Sequence, residues 1–261
     1  MNSESTLLKV SHLSTSFHTG SQQVRAVEDV SLEVRSGQIV ALVGESGSGK
    51  SVTAMSILGL VDPPGCIDSG EIWLRGHNLR ECSTRQLRKL RETEMAVIFQ
   101  DPMNALNPVL PVGRQIMETI TMHRQVTGQE AKQLAMLQMQ QAGLNDPAQL
   151  FNKYPFQISG GMCQRVMIAI ALASGASLLI ADEPTTALDV TIQAQILTEL
   201  DRIRWANNMG ILLITHDLGV VAELADYVYV MKSGRIVESG NVFDIFARPM
   251  HSYTRYLMDC R

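Results

Sequence analysis

The chain has 261 residues, enough for one large domain or two lobes around a shared core, and its 45% hydrophobic fraction lets that core be buried. A formal net charge of −4, with no dense Lys/Arg block, leaves no electrostatic footprint for nucleic acid. No apolar run reaches the roughly 18 residues that span a bilayer, no secretory signal opens the chain, and Cys66, Cys82, Cys163 and Cys260 form no C-x-x-C pair; the expectation is a soluble cytoplasmic protein with reduced thiols.

Leu7 to Leu13, Val24 to Val34 and Gln38 to Val43 read as strands, parted by turns at His18-Thr19-Gly20 and Ser36-Gly37. Ile39 to Val43 is an apolar run, as expected of a strand covered on both faces. A glycine-rich turn follows it and opens a helix over Ser51 to Leu60. From about Val112 to Ala148 the chain is polar and Met-rich, and Glu130, Ala131, Leu134, Leu137 and Met139 mark a helix bracketed by Gly128 and Gly143. The methionines read as packing of a small helical lobe rather than a cofactor site. Strand and helix then alternate: a helix at Met162 to Ser174, a strand at Leu178 to Ala181, a helix at about Thr191 to Asn207 and a strand at Ile211 to Thr215. Tyr227 to Met231 and Gly234 to Glu238 read as a hairpin turning at Lys232-Ser233. This is an α/β core with a helical segment inserted into it.

Gly44-Glu45-Ser46-Gly47-Ser48-Gly49-Lys50-Ser51 matches G-x-x-x-x-G-K-[ST] completely. Its glycines let successive N–H groups turn inward around an anion, and the helix that follows points its positive end at the same spot. Lys50 can reach β- and γ-phosphate oxygens, and the Ser51 hydroxyl can ligate Mg²⁺. A buried strand before the loop and a helix after it separate this reading from a chance Gly/Ser turn.

Leu178 to Glu183 is an apolar strand ending in two carboxylates. Asp182 stands where phosphate-loop NTPases keep a metal-supporting carboxylate. Glu183, expected on the other side of the strand, can polarise an attacking water. Ile211 to Asp217 is a second buried strand, and its His216 can donate to a γ-phosphate.

Ser159-Gly160-Gly161-Met162-Cys163-Gln164 resembles the signature motif of ABC-type ATPases, with Met162 and Cys163 standing between the Gly pair and Gln164. Phe99-Gln100-Asp101-Pro102 is similar to that family's Q-loop, and Thr186-Ala187-Leu188-Asp189 to its D-loop. Six motifs occur in the family's order, and the resemblance covers essentially the whole chain. It implies a P-loop NTPase (RecA-like) core with an antiparallel β subdomain and an inserted α-helical subdomain. The expectation is one domain over residues 1–261, with the core from 1–99 and 165–261 and the helical signature subdomain from 100–164.

The resemblance also implies ATP and Mg²⁺, with the metal held by Ser51, Gln100 and Asp182. Catalysis would fall to Glu183, His216, Gln100 and Lys50. The nucleotide would touch Gly44 through Val52, Asp189, and Phe17 as the aromatic that stacks on adenine. Ser159, Gly160, Gly161 and Gln164 would act on the ATP of a second ATPase subunit, identical or different. Two transmembrane permease subunits and, indirectly, a solute-binding protein complete the expected assembly at the cytoplasmic face of the cell (inner) membrane, with no nucleic acid.

Val52-Thr53 after the loop, Gln100 to Pro108 and Ala181 to Val190 resemble the dipeptide, oligopeptide and nickel importer class. His251-Ser252-Tyr253-Thr254-Arg255 is similar to that class's His-Pro-Tyr-Thr-Arg, with Ser252 departing from it. Only Cys260 stands near Arg261, where peptide-importer ATPases commonly carry a cysteine cluster, and Tyr154-Pro155-Phe156 resembles the nickel branch. Nickel or a related metal complex is therefore the expected cargo, with a di- or oligopeptide as the alternative. A soluble ABC ATPase acting on nucleic acid lacks support, since no coiled-coil insertion or second cassette is present. Intact Glu183 and His216 argue against a regulatory subunit without turnover.

Overall fold

Two long strands, β1 (Thr6–Thr19) and β2 (Gln22–Arg35), open the fold, which the computed structural model describes over residues 6–20, 22–185 and 190–259. There follow β3 (Ile39–Val43), α1 (Lys50–Leu58), β4 (Gly65–Leu74), β5 (His77–Asn78), α2 (Thr84–Glu94) and β6 (Met95–Ile98). A run of helices comes next: α3 (Pro102–Ala105), α4 (Val112–His123), α5 (Gly128–Gln141), α6 (Pro147–Leu150) and α7 (Gly160–Ser174). The chain closes with β7 (Leu178–Asp182), α8 (Val190–Asn207), β8 (Gly210–Thr215), α9 (Leu218–Leu224), the hairpin β9 (Tyr227–Lys232) and β10 (Arg235–Asn241), α10 (Val242–Ala247) and α11 (Ser252–Asp259).

One sheet is antiparallel, in the order β2-β1-β4-β5; the other runs β10-β9-β3-β8-β7-β6 and is parallel except for β10. Every residue of β3, β7 and β8 is buried, because the parallel sheet is covered on both faces. The two-residue period sorts their side chains. Leu178, Ile180, Leu212 and Ile214 pack with α1 and the antiparallel sheet, whereas Leu179, Ala181, Ile211 and Leu213 pack with the helical side. Each such large aliphatic contributes about 1.5–3 kcal/mol by leaving water. The same alternation aims Asp182, next after Ala181, at the α1 side.

The helical lobe is built on Ile116 and Ile120 of α4, Ala131, Ala135 and Met139 of α5, and Val166 of α7, all buried in one cluster. Thr127 starts α5 with a reciprocal cap: its hydroxyl accepts from Glu130 N–H, and the Glu130 carboxylate accepts from Thr127 N–H at 2.8 Å. Gly143, at φ +72°, ends that stretch. Met139 is core, and Met117 and Met136 pack beside it, so methionine fills the lobe as its composition implies. α7 runs unbroken from Gly160 to Ser174, across the expected 164/165 boundary.

β4 and α2 have no counterpart in the sequence pattern. β4 is polar and Gly-interrupted, and β1 defines it through the pairs Lys9↔Trp73 and Val10↔Ile72. α2 has no fully buried residue; Leu87 and Leu90 pack half-buried against the core, and the Ser83–Gln86 capping box starts the helix. The hairpin turns at Ser233-Gly234, both with positive φ, one residue beyond the expected position. Among the described residues no helix is long and apolar enough to cross a membrane.

Candidate functional site

β3 delivers the chain into Gly44 to Gly49, and α1 carries it away. Gly44 has no room for a side chain: a Cβ there would lie 2.1 Å from the Met231 carbonyl oxygen on β9. At Gly49, with φ +106°, a Cβ would meet the Ala26 carbonyl oxygen at 2.3 Å. The loop is thus pressed between β2 and β9, which fixes its curvature. Lys50, only 4% exposed, folds back over the loop and donates from Nζ to the Gly44 carbonyl at 2.7 Å and the Glu45 carbonyl at 2.9 Å. Burial lowers its ammonium below the ordinary range, and the charges of Glu183, Asp182 and Glu45 oppose that shift.

Asp182 is 7% exposed at the end of β7. Burial raises its carboxyl above the ordinary value; a hydrogen bond from Ser51 counteracts this, Glu183 adds to it, and Lys50 works against it. Its Oδ1 is buried without a hydrogen-bond partner, as is the Ser48 hydroxyl. An orphaned buried carboxylate oxygen beside a serine hydroxyl is costly by itself and suits a hard cation that accepts oxygen ligands. The residues therefore fit Mg²⁺.

Glu183 leaves the strand at φ +48°, a conformation unusual for a side-chain-bearing residue and typical of sites held by their surroundings. Its backbone N–H is secured by the Ile214 carbonyl at 2.8 Å. One carboxylate oxygen accepts from Gln100 Nε2 at 3.1 Å, and the other lies 3.1 Å from His216 Nδ1. Gln100 stands just past β6 and His216 just past β8, so three neighbouring strands converge on one carboxylate. Asp217 caps α9 by accepting from Gly219 N–H at 2.7 Å, which anchors the turn holding His216. All of this opens on a cleft of about 670 Å³ lined by the loop, Gln100, Glu183 and His216.

The wall of that cleft also includes Ala26, Tyr256 and Leu257. α11 lies against the phosphate loop: the buried Tyr253 hydroxyl accepts the Glu45 N–H at 3.1 Å, and Lys232 stacks over the Tyr253 ring. Glu238 on β10 ties α11 down by accepting from Met250 N–H at 2.7 Å, His251 N–H at 2.9 Å and the Thr254 hydroxyl. His251 to Arg255 carries a family likeness in the sequence but no sign of this contact. Its positioning role spans 208 residues of chain between Glu45 and Tyr253 and leaves no local signal.

Ser159, Gly160 and Gly161 line a separate cleft of about 470 Å³ with Met162 and Arg165, and the two clefts share no lining residue. Ser159 caps α7, accepting from Met162 N–H at 3.3 Å. Gln164 departs from expectation. It is 2% exposed on the inner side of α7, and the outward position belongs to Met162. At about 100° per residue, the third residue after Ser159 stays near its face and the fifth turns away. Phe17 is not in the lining of the phosphate-loop cleft; its ring lies over Gly65. Asp189 and the rest of Thr186 to Asp189 lie outside the described residues.

A strand, an anion-binding turn and a helix at the centre of a parallel sheet place the chain among phosphate-loop nucleotide-binding proteins. Residues 27–186 match the family described as ABC transporter, and the chain belongs to that family as an ATP-binding domain. It is 48% identical over 97% of its length to the dipeptide transport ATP-binding protein DppD of Escherichia coli, and spans 77% of that relative. It is 49% identical, again over 97% of its length, to the peptidoglycan transport ATP-binding protein YejF of Agrobacterium fabrum, of which it spans 46%. A dimeric ATP-binding cassette in a post-hydrolysis state, bound to ADP and Pi, superimposes with a TM-score of 0.82 at 25% identity, covering 90% of this chain and 99% of that one.

Proposed function

We propose that the chain hydrolyses ATP to power an importer of small peptides or peptide-containing compounds. It would work at the cytoplasmic face of the membrane as one of two nucleotide-binding subunits beneath two transmembrane permease subunits. The observation that carries the hydrolytic reading is Glu183. Its carboxylate is held at both oxygens, by Gln100 and His216, at the mouth of the phosphate-loop cleft.

Lys50 and the backbone N–H groups from Gly44 to Ser51 hold the phosphates, and fixed donors of this kind stabilise charge as it spreads over a transferring phosphoryl group. Asp182, Ser51 and Gln100 would hold Mg²⁺, which supplies positive charge to the phosphate oxygens when bound. Glu183 orients and polarises the attacking water, and His216 both positions Glu183 and donates to the γ-phosphate. Phe17 is the residue proposed for the adenine: it pairs with Val24, two residues from Ala26 on the cleft wall.

Separate clefts for the phosphate loop and the signature turn support a nucleotide shared between two subunits, the loop of one facing Ser159 to Gly161 of another. The dimeric cassette that superimposes on this chain supports the same arrangement. Asp189 is proposed to touch the nucleotide from the segment outside the described residues.

The peptide reading replaces the nickel preference because the relatives described above are named for dipeptide and peptidoglycan transport. Tyr154 and Phe156, which favoured nickel, stack on each other beside the start of α7 and line neither cleft. Cells lacking this chain should lose uptake of a labelled dipeptide or tripeptide and keep uptake of labelled nickel. Loss of nickel uptake with peptide uptake intact would overturn the cargo assignment.

A further inference from the structure

His18, Cys66 and Asp68 play no part in the site described above, yet they meet. Ser16 pairs with Cys66 across β1 and β4. The two-residue period then puts His18 on the face of Ser16, and Asp68 on the face of Cys66. One imidazole nitrogen, the thiol sulfur and a carboxylate oxygen all lie within 4.8 Å of one another, on the exposed surface of the antiparallel sheet. The Cys66 thiol donates to Asp68 Oδ1 at 3.4 Å. Tetrahedral sites with bonds of about 2.0–2.3 Å have ligand-to-ligand edges of about 3.3–3.8 Å, so this pair already stands at a coordination spacing.

The cluster has a built floor. Ser16 is fully buried beneath it, donates to Asp68 Oδ1 at 3.0 Å, lies 3.2 Å from His18 Nε2 and accepts from Gln23 Nε2 at 3.1 Å. Hydrogen bonds to ligating groups from such a partner fix ligand orientation at metal sites. The ligand chemistry is mixed: a soft thiolate, an imidazole and a hard carboxylate. That set suits borderline divalent ions of the zinc type and disfavours Mg²⁺, which takes oxygen ligands.

We propose that His18, Cys66 and Asp68 form a binding site for a borderline divalent transition-metal ion, with solvent completing the coordination. Binding replaces the thiol proton: the Cys66 S–H bond breaks, its proton goes to solvent, and the sulfur lone pair bonds the metal. The ion links β1 to β4 one residue beyond Phe17, and is distinct from the Mg²⁺ position at Ser51 and Asp182.

Titrating the full chain with Co²⁺ in excess Mg²⁺ tests this, because only thiolate ligation produces a thiolate-to-cobalt charge-transfer absorption. One equivalent should bind with that absorption, and Zn²⁺ should bleach it. Cys66→Ala should abolish it while Cys82 and Cys163 remain. His18→Ala and Asp68→Asn should each weaken binding at least about tenfold. No charge-transfer absorption, an absorption that survives Cys66→Ala, or affinity unchanged in both other variants would overturn the proposal. All three side chains are exposed, and circular dichroism checks that each variant is folded.

Discussion

His216 and Gln100 each fix one oxygen of the same carboxylate, so each bears on how Glu183 meets water. Removing the imidazole takes away one of those restraints and the proposed donor to the γ-phosphate. Positioned acid–base groups contribute about 10²–10⁴-fold, so His216→Ala should lower kcat by roughly 10²-fold or more while ADP affinity stays unchanged. A steady-state assay with equilibrium ADP binding checks this, and wild-type kcat would contradict it. Two glycines make a second contrast. Alanine at Gly44 would bring Cβ to 2.1 Å from the Met231 carbonyl, and overpacking of this kind costs about 1–3 kcal/mol. At Gly160 nothing lies within 4 Å and the backbone is helical, so alanine should be neutral or gain up to about 1 kcal/mol. Thermal melts of the two variants should therefore move in opposite directions or differ by several degrees.

At the scale of elements, α11 is a strap across the phosphate loop, and Glu238 is its anchor. Burial would raise the Glu238 carboxyl, but hydrogen bonds from Thr254, Met250 N–H and His251 N–H, with the charge of His251, outweigh that and hold it below its ordinary value. A depressed carboxyl adds stability above its unfolded-state value, and that stability is lost as pH falls through the folded-state value. Between about pH 5 and 3, wild type should therefore lose more stability than Glu238→Gln, by urea unfolding at each pH. Equal losses would contradict the anchor role. Tyr253→Phe, which removes the acceptor for Glu45 N–H, should weaken ATP binding without abolishing folding.

How far these elements could be read beforehand follows from their physics. β3, β7 and β8 are apolar throughout because both faces of their sheet are covered, so they stand out as runs. Their ends carry the phosphate loop, Asp182, Glu183 and His216, and those residues were legible with them. β4 is marked only by Ile72 and Leu74 at its end, and α2 only by Leu87 and Leu90, which pack half-buried against the core from an otherwise polar helix. The motif as a string does not show that Gln164 faces inward, because that follows from the helical period of α7. Tyr253 reaches Glu45 only through the fold.

On the scale of the whole molecule, the phosphate loop and the signature turn open as separate clefts on one chain. The lobe that carries Ser159 is joined to the sheet through α7, whose Ile168 and Ala169 pack in the same cluster as Leu179 and Leu213. Weakening that cluster should loosen lobe and core together. Ile120→Ala, at a fully buried site, should cost about 2–5 kcal/mol in a single cooperative unfolding transition. Two separated transitions would show that the lobe folds by itself.

Glu183 is the residue proposed to turn a nucleotide-binding cleft into a hydrolase. Phosphate release by Glu183→Gln with Mg²⁺ and ATP, alongside the equilibrium affinity of the same variant for ATP, tests it most directly. The amide keeps the side chain's shape but lacks the carboxylate charge that polarises water. Turnover should fall by about 10²-fold or more with ATP affinity retained. Turnover at the wild-type rate would contradict it.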